Sequence, residues 1–333
     1  MTQKVAVIGS GSWGTAVAAI AARNAPTVLW ARRAELADQL NAEHVNGDYL
    51  PGFTLPALLK GSSDLEQTVH GADVVVMAVP SHGFRSVLAD LASSLAPDVP
   101  IVSLSKGVEQ DTLRRMTEVI AETAPGHPAG VLTGPNLAKE VMEGWPAAAV
   151  VAFDDESVAR ALQAVFSTPT FRVYRNDDVI GCEVAGALKN VMAIAAGMAD
   201  GMGFGDNTKA AVLTRGLAEL TRLGVALGGQ PITFSGLAGM GDLVATCSSK
   251  QSRNRHVGEQ LGQGRALEEI VTEMRMVAEG VKTSRAVVAL ADRVGVEMPI
   301  AEQVVGVIDG RIAAADVIPA LMSRSAKSES AGL

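Results

Sequence analysis

The sequence is poor in aromatic residues: Phe, Trp and Tyr make up only 4% of its 333 positions. Ala, Val and Gly carry the apolar count instead, a mix suited to tightly packed helices and buried parallel strands. Cysteine is nearly absent. Cys182 and Cys247 form no metal-ligand spacing with each other or with histidine, so neither a disulfide framework nor a metal centre is expected. Both read as free thiols of a reducing compartment. Positive charge is in deficit, 28 Lys and Arg against 36 Asp and Glu, a formal net charge of −8. That excludes a general nucleic-acid binder, because phosphate neutralisation needs a basic surface. It still admits a small anionic substrate held by a local basic pocket. No apolar run reaches the roughly 20 residues that span a bilayer, so no stable membrane insertion is expected. A first strand at 4–8 leaves no room for a signal peptide, and the cytoplasm is the expected location.

Hydrophobic residues make up 48% and charged residues 19%, ample for a buried core and without a disorder signature. From residue 4 to about 152, short β-branched runs alternate with helical stretches. Strands are expected at 4–8, 27–30, 73–79, 101–104, 131–133 and 147–152, with an edge strand at 171–174. Their near-continuous apolar character is that of strands buried on both faces. After about 178 the β-branched runs give way to Ala-, Leu- and Met-rich helical segments at 180–199, 208–227, 253–263, 266–278, 282–294 and 300–308. Gly-rich breaks at 201–205, 228–229 and 236–241 separate them. The expected architecture is α/β: a Rossmann-type, doubly wound, mostly parallel sheet over 1–178, then an all-helical domain over 179–322 and a flexible tail at 323–333.

The first strand runs directly into Gly9-Ser10-Gly11-Ser12-Trp13-Gly14 and then a helix. Between strand and helix this pattern has a mechanism. Gly9 permits the tight turn, Gly11 lets backbone approach a pyrophosphate, and Gly14 lets helix and strand pack closely. The helix N-terminus offers free amides to the phosphates. The bland alternative is a Gly-rich turn without function. Arg32 and Arg33 follow the second strand, where NAD enzymes usually carry an acidic residue. Guanidinium groups there would grip a 2′-phosphate or stack on adenine, so NADP(H) is expected to be preferred, with NAD(H) usable. A solvated pair capping the strand end is the other reading. His82, in the Val-Pro-Ser-His loop at 79–82, receives no role.

Three stretches bear on chemistry. The fourth strand leads into Lys106. Lys189 lies in a long apolar helix, and counting by 3 and 4 from it reaches Cys182, Ala185, Gly186, Met192, Ala193 and Ala196. A lysine on such a close-packing face is costly unless it is paired or at work. It reads either as a proton-transfer amine or as a snorkelling or ion-paired lysine at a domain seam. Asp242 is either an N-cap or the carboxylate that orients a catalytic amine. Ser252, Arg253 and Asn254 open a helix as either a phosphate cup or a solvated helix start.

Taken together, GSGSWGT, VPSH, SKG, GPNLAKE, GALKNVMAIAAGMADG, GFGDN, TRGLAE, GLAGMGDLVATC, QSRNR, VAEGVKT and VEMPI closely resemble bacterial-type NAD(P)-dependent glycerol-3-phosphate dehydrogenase over nearly the whole chain. The resemblance implies reversible conversion of dihydroxyacetone phosphate and NAD(P)H into sn-glycerol 3-phosphate, for glycerophospholipid synthesis, by a homodimer. It implies Lys189 as the proton acceptor, with Lys106 and Asp242 in the same pocket. Gly134, Asn136, Ser252, Arg253 and Asn254 match substrate contacts. Ser12, Trp13, Arg32, Arg33, Lys106, Ala138, Arg253, Val277 and Glu279 match cofactor contacts. Asn136 departs from the pattern, standing where members often carry Ser or Thr. Two rivals are a dehydrogenase of the same architecture acting on a hydroxyacid or ketopantoate, and a non-catalytic NADPH-binding regulator. The first lacks its carboxylate-binding Arg pair here, and the second has no need of Lys106, Lys189 and Asp242.

Overall fold

Strand β1 (Val5–Ile8) has every residue buried, as expected of a central strand covered on both faces. The computed structural model describes residues 3–274, 278–326 and 328–329. The chain forms two compact units, one of Met1–Ser105 with Arg115–Val179, the other of Lys106–Arg114 with Ile180–Leu333.

In the first unit, β1 is joined by β2 (Thr27–Trp30), β3 (Leu59–Ser62), β4 (Val74–Met77), β5 (Ile101–Ser103), β6 (Ala129–Thr133), β7 (Ala147–Ala152) and β8 (Phe171–Asn176). They make one sheet in the order β3-β2-β1-β4-β5-β6-β7-β8, parallel throughout except where β7 runs against β6. Helices α1 (Ser12–Ala21), α2 (Ala34–Ala42), α3 (Leu65–Val69), α4 (Ser81–Ala92), α5 (Met116–Thr123), α6 (Ala138–Met142) and α7 (Glu156–Phe166) cover both faces. The period-2 alternation of a strand does the sorting. Val5, Val7, Val74 and Val76 enter one core with α1, α2 and α7. Ala6, Ile8, Val75 and Met77 enter the other with α4 and α5. Ile8 is in register with both Trp30 and Met77, so three strands end level where the glycine loop begins. The strand order reverses at β1, and in such sheets ligands bind outside that point.

Two features of this unit differ from expectation. The edge strand β3, Leu-Lys-Gly-Ser, has no β-branched run to announce it. It forms because Gly61 lets α2 lie directly on it; a Cβ there would meet the Ala37 carbonyl at 2.7 Å. His82 is in the first turn of α4, not in a loop.

The second unit contains α8 (Val179–Gly201), α9 (Asp206–Ala226), α10 (Pro231–Phe234), α11 (Asp242–Ser248), α12 (Arg253–Gly262), α13 (Leu267–Glu273), α14 (Glu279–Val294), α15 (Pro299–Ile308) and α16 (Ala314–Met322). Helix α8 corrects the reading of apolar runs. It is long and apolar enough to cross a bilayer, with a mean hydropathy of 1.5, yet 89% of that apolar stretch is buried inside the protein. It is the core helix of this unit, packed with residues of α9, α12, α14 and α15. Of the glycine-rich stretch at 236–241 only the extended Gly236 is a break, after α10: Leu237–Gly241 is a π-helical turn that leads straight into α11. Helix α16, with Pro319 inside it, was not foreseen from the sequence pattern.

Candidate active site

The glycine loop of the first unit has the shape its sequence predicts. Gly9 has φ +117°, and a Cβ there would lie 2.5 Å from the Ala78 carbonyl. A Cβ on Gly14 would lie 2.1 Å from the Gly9 carbonyl, so helix and loop touch through backbone. Gly11 instead faces open space, with nothing within 4 Å of a Cβ. It is also the N-cap of α1 and offers no side-chain cap, leaving first-turn amides available to phosphate oxygens. These features fit a dinucleotide pyrophosphate.

Around the loop, Ser12 Oγ donates to the Tyr49 carbonyl at 2.5 Å. Trp13 packs at a tilt against Phe171, centroids 6.2 Å apart, and its indole N–H is buried without a hydrogen-bond partner among the described residues. Arg33 is ion-paired with Asp48, while Arg32 is exposed. Gly134, at φ +125°, lies over β7, where a Cβ would meet the Ala149 Cα at 3.2 Å. Both polar atoms of the Asn136 amide are buried without a hydrogen-bond partner among the described residues. Ala138 opens α6.

In the helical unit, three residues from three segments meet on one carboxylate. Lys189 of α8 is only 5% exposed. Its Nζ lies 2.8 Å from Asp242 Oδ1 and donates to Thr246 Oγ1 at 2.6 Å. Lys106 Nζ lies 2.6 Å from the other oxygen, Asp242 Oδ2. The Thr246 hydroxyl donates to Asp242 Oδ1 at 3.1 Å. Asn190, next to Lys189, donates to the Lys106 carbonyl at 3.0 Å and so holds the 106–114 segment in this unit. Asp242 is therefore no N-cap: it follows the π-helical turn with helical dihedrals and spends its oxygens on two amines and a hydroxyl. The π-helical turn orients it, and π-bulges recur at functional sites.

Two ammonium groups sharing one carboxylate leave positive charge in a dry place. Burial lowers the Lys106 pKa to about 8, and Lys189 adds to the fall while Asp242 opposes it. Burial raises the Glu279 carboxyl, with Arg253, Lys189 and Lys106 pulling it back. The Cys247 thiol is pushed up to about 12 by burial, which makes it inert. At the start of α12, Ser252 is buried and accepts from the Arg255 amide at 3.2 Å, so it is an N-cap and not solvated. Asn254, also buried, accepts from the Gly280 amide at 2.9 Å, while Arg253 is exposed. Val277 lies outside the described residues, as do 327 and 330–333 of the expected tail.

Sequence reasoning overlooked Thr246, Asn190 and Asp48. Thr246 had a signal: it stands four residues after Asp242, one helical turn on the same face. Asp48 had none.

The N-terminal family model of NAD-dependent glycerol-3-phosphate dehydrogenase matches residues 4–159, and the C-terminal model matches residues 178–319. The chain is 56% identical over 329 residues, 99% of each chain, to glycerol-3-phosphate dehydrogenase [NAD(P)+] 2 of Sphingopyxis alaskensis. It is 54% identical to the Mycobacterium avium glycerol-3-phosphate dehydrogenase [NAD(P)+], covering 92% of this chain and 90% of that one. Among solved structures, the glycerol-3-phosphate dehydrogenase of Coxiella burnetii superimposes with a TM-score of 0.93 at 36% identity, over 97% of this chain and 99% of that one. A ketopantoate reductase from Ralstonia eutropha, 18% identical with a TM-score of 0.61, shares the fold alone. With both family models spanning the nucleotide loop and the lysine-carboxylate cluster, the chain belongs to the NAD-dependent glycerol-3-phosphate dehydrogenase family.

Proposed function

We propose that this protein catalyses reversible hydride transfer between NAD(P)H and dihydroxyacetone phosphate, giving sn-glycerol 3-phosphate for glycerophospholipid synthesis. The observation that carries the chemistry is the Lys189–Asp242–Lys106 cluster, one carboxylate shared by the amine of a buried lysine and that of a partly buried one. When bound, the nicotinamide supplies the hydride. The chain's own residues hold and move the proton. In the reducing direction Lys189 donates to the C2 oxygen as that oxygen gains negative charge; in the oxidising direction it accepts that proton. Asp242 and Thr246 fix the amine's position, because each already bonds to it. Lys106 stabilises the developing alkoxide by its charge.

Gly9, Gly11, Ser12, Trp13 and Gly14 hold the dinucleotide, with Arg32, Arg33, Lys106, Ala138, Arg253, Val277 and Glu279 as further contacts. The arginines favour NADP(H), and NAD(H) is also used. Gly134, Asn136, Ser252, Arg253 and Asn254 are assigned to the substrate. A phosphate remote from the reacting carbon supplies binding energy that orients C2, and much of the rate comes from that orientation. Residues 1–178 are assigned to the nucleotide, 179–322 to substrate and dimerisation. A homodimer in the cytoplasm, without nucleic acid or membrane insertion, completes the reading; Cys182 and Cys247, both buried thiols outside any disulfide among the described residues, support a reducing compartment.

The test is oxidation of NADPH by the purified protein on addition of dihydroxyacetone phosphate. Lys189→Ala should lower kcat by several orders of magnitude with the fold unchanged by circular dichroism. Near-normal turnover of that variant would overturn the assignment.

A further inference from the structure

The loop at 46–50 is pinned to the glycine loop at several points. Asn46, with none of its surface exposed, donates to the Ser10 carbonyl at 2.9 Å and to Thr15 Oγ1 at 2.8 Å. Its Oδ1 accepts from the Tyr49 amide at 3.1 Å, and Tyr49 in turn accepts from the Ser12 hydroxyl. Asp48 stands between these anchors, so its place beside the nucleotide loop is set by buried hydrogen bonds. From there it pairs with Arg33, the third residue after β2. Both side chains are about half exposed, at 53% and 54%. Arg32, also exposed, makes no hydrogen bond or ion pair among the described residues.

The end of β2 is where a dinucleotide-binding sheet distinguishes a ribose hydroxyl from a 2′-phosphate, by a carboxylate for the one and an arginine for the other. Here the loop delivers a carboxylate to an arginine at that place. We propose that Asp48 is a specificity-determining residue for the dinucleotide: it neutralises Arg33 and sets its own charge against a 2′-phosphate, leaving Arg32 as the cation that reads it. Discrimination is thereby held low, and both phosphorylated and unphosphorylated dinucleotides are admitted. The inference rests on the nucleotide-binding reading of the first unit.

Calorimetric titration of the full-length protein with 2′,5′-ADP and with 5′-AMP, at low ionic strength, separates the adenosine end from catalysis. Asp48→Asn should raise the affinity ratio of 2′,5′-ADP over 5′-AMP about fivefold, the size of a single-charge change at an exposed site acting on a phosphate dianion. Arg32→Ala should lower that ratio about tenfold, and more than Arg33→Ala does. The ratio of kcat/KM for NADPH over NADH should move in the same sense. An unchanged ratio in Asp48→Asn overturns the proposal. Equal weakening of both ligands also overturns it, because Asp48 would then only order Arg33. If the unmodified protein bound neither ligand, the nucleotide reading would fall and this inference with it. Normal binding with an unmoved ratio removes the inference alone.

Discussion

Gly197 on α8 and Arg255 on α12 touch through their backbones: a Cβ on Gly197 would lie 2.0 Å from the Arg255 carbonyl oxygen. The contact repeats along both helices. A Cβ on Gly201 would lie 2.1 Å from the Glu259 carbonyl, and one on Gly258 2.0 Å from the Ile194 carbonyl. Beside this seam, Asp200 holds Arg255 at 2.7 Å from Nε and Lys209 at 2.6 Å. Helix α8 carries Lys189, and α12 with its N-cap carries Ser252, Arg253 and Asn254, so the seam fixes the distance between the proposed proton donor and the proposed phosphate contacts.

Gly197→Ala should therefore separate α8 from α12. Overpacking of this kind costs about 1–3 kcal/mol, at times more. Urea unfolding should show that loss, and KM for dihydroxyacetone phosphate should rise more than kcat falls. Unchanged stability would mean that the two helices can slide apart freely.

Thr246→Val removes the hydroxyl that accepts from Lys189 and donates to Asp242. A hydrogen bond to a charged group is worth about 1.5–3 kcal/mol, so kcat should fall at least about tenfold, with KM little changed. Asp242→Asn is harsher, because two ammonium groups would face a neutral amide. Removing one partner of a buried ion pair costs about 3–5 kcal/mol. Steady-state kinetics and thermal melts of the two variants should rank them in that order.

The Lys106 pKa of about 8 lies below its ordinary value of 10.5. Folding must therefore hold a costly charge below about pH 8, and that cost is relieved as the pH rises from 8 towards 10.5. Activity follows the opposite course. The charge proposed to steady the alkoxide is lost as the folded Lys106 deprotonates, so kcat/KM for ketone reduction should decline above about pH 8. Lys106→Arg, which keeps its charge, should move that limb upward in a pH–rate profile.

Glu219 on α9 is buried and accepts from the amides of Ile300 at 2.8 Å and Ala301 at 3.3 Å, the first turn of α15. Burial raises its carboxyl to about 7 from an ordinary 4.5, outweighing those amides. The native state thus holds its proton more tightly than the unfolded chain. Its contribution to stability is full below about pH 4.5 and is lost as pH rises through about 7, a span on the order of 3 kcal/mol. Glu219→Gln should flatten that decline in urea midpoints measured from pH 5 to 8. A parallel decline in the variant would assign the effect to other groups.

The sheet was legible because its strands are buried on both faces and the glycine loop falls between β1 and α1, a context that local sequence alone supplies. Edge strand β3 was not, since its pairing comes from α2 packing on Gly61 rather than from its own side chains. The same division runs through the site. A lysine on a small, apolar helix face shows that Lys189 must be paired or in use.

By itself, then, the sequence determined the alternation of strands and helices, the nucleotide loop and the helix that carries Lys189. These depend on hydrophobic period, glycine sterics and helix propensity, all of which act over a few neighbouring residues. Only the tertiary structure decided that Asp242 orients amines rather than capping a helix, that 106–114 packs with the helical unit, and that Asp48 takes Arg33. Lys106 and Asp242 stand 136 positions apart, and an ion pair across such a span exists only once packing has brought both ends together and removed the water between them.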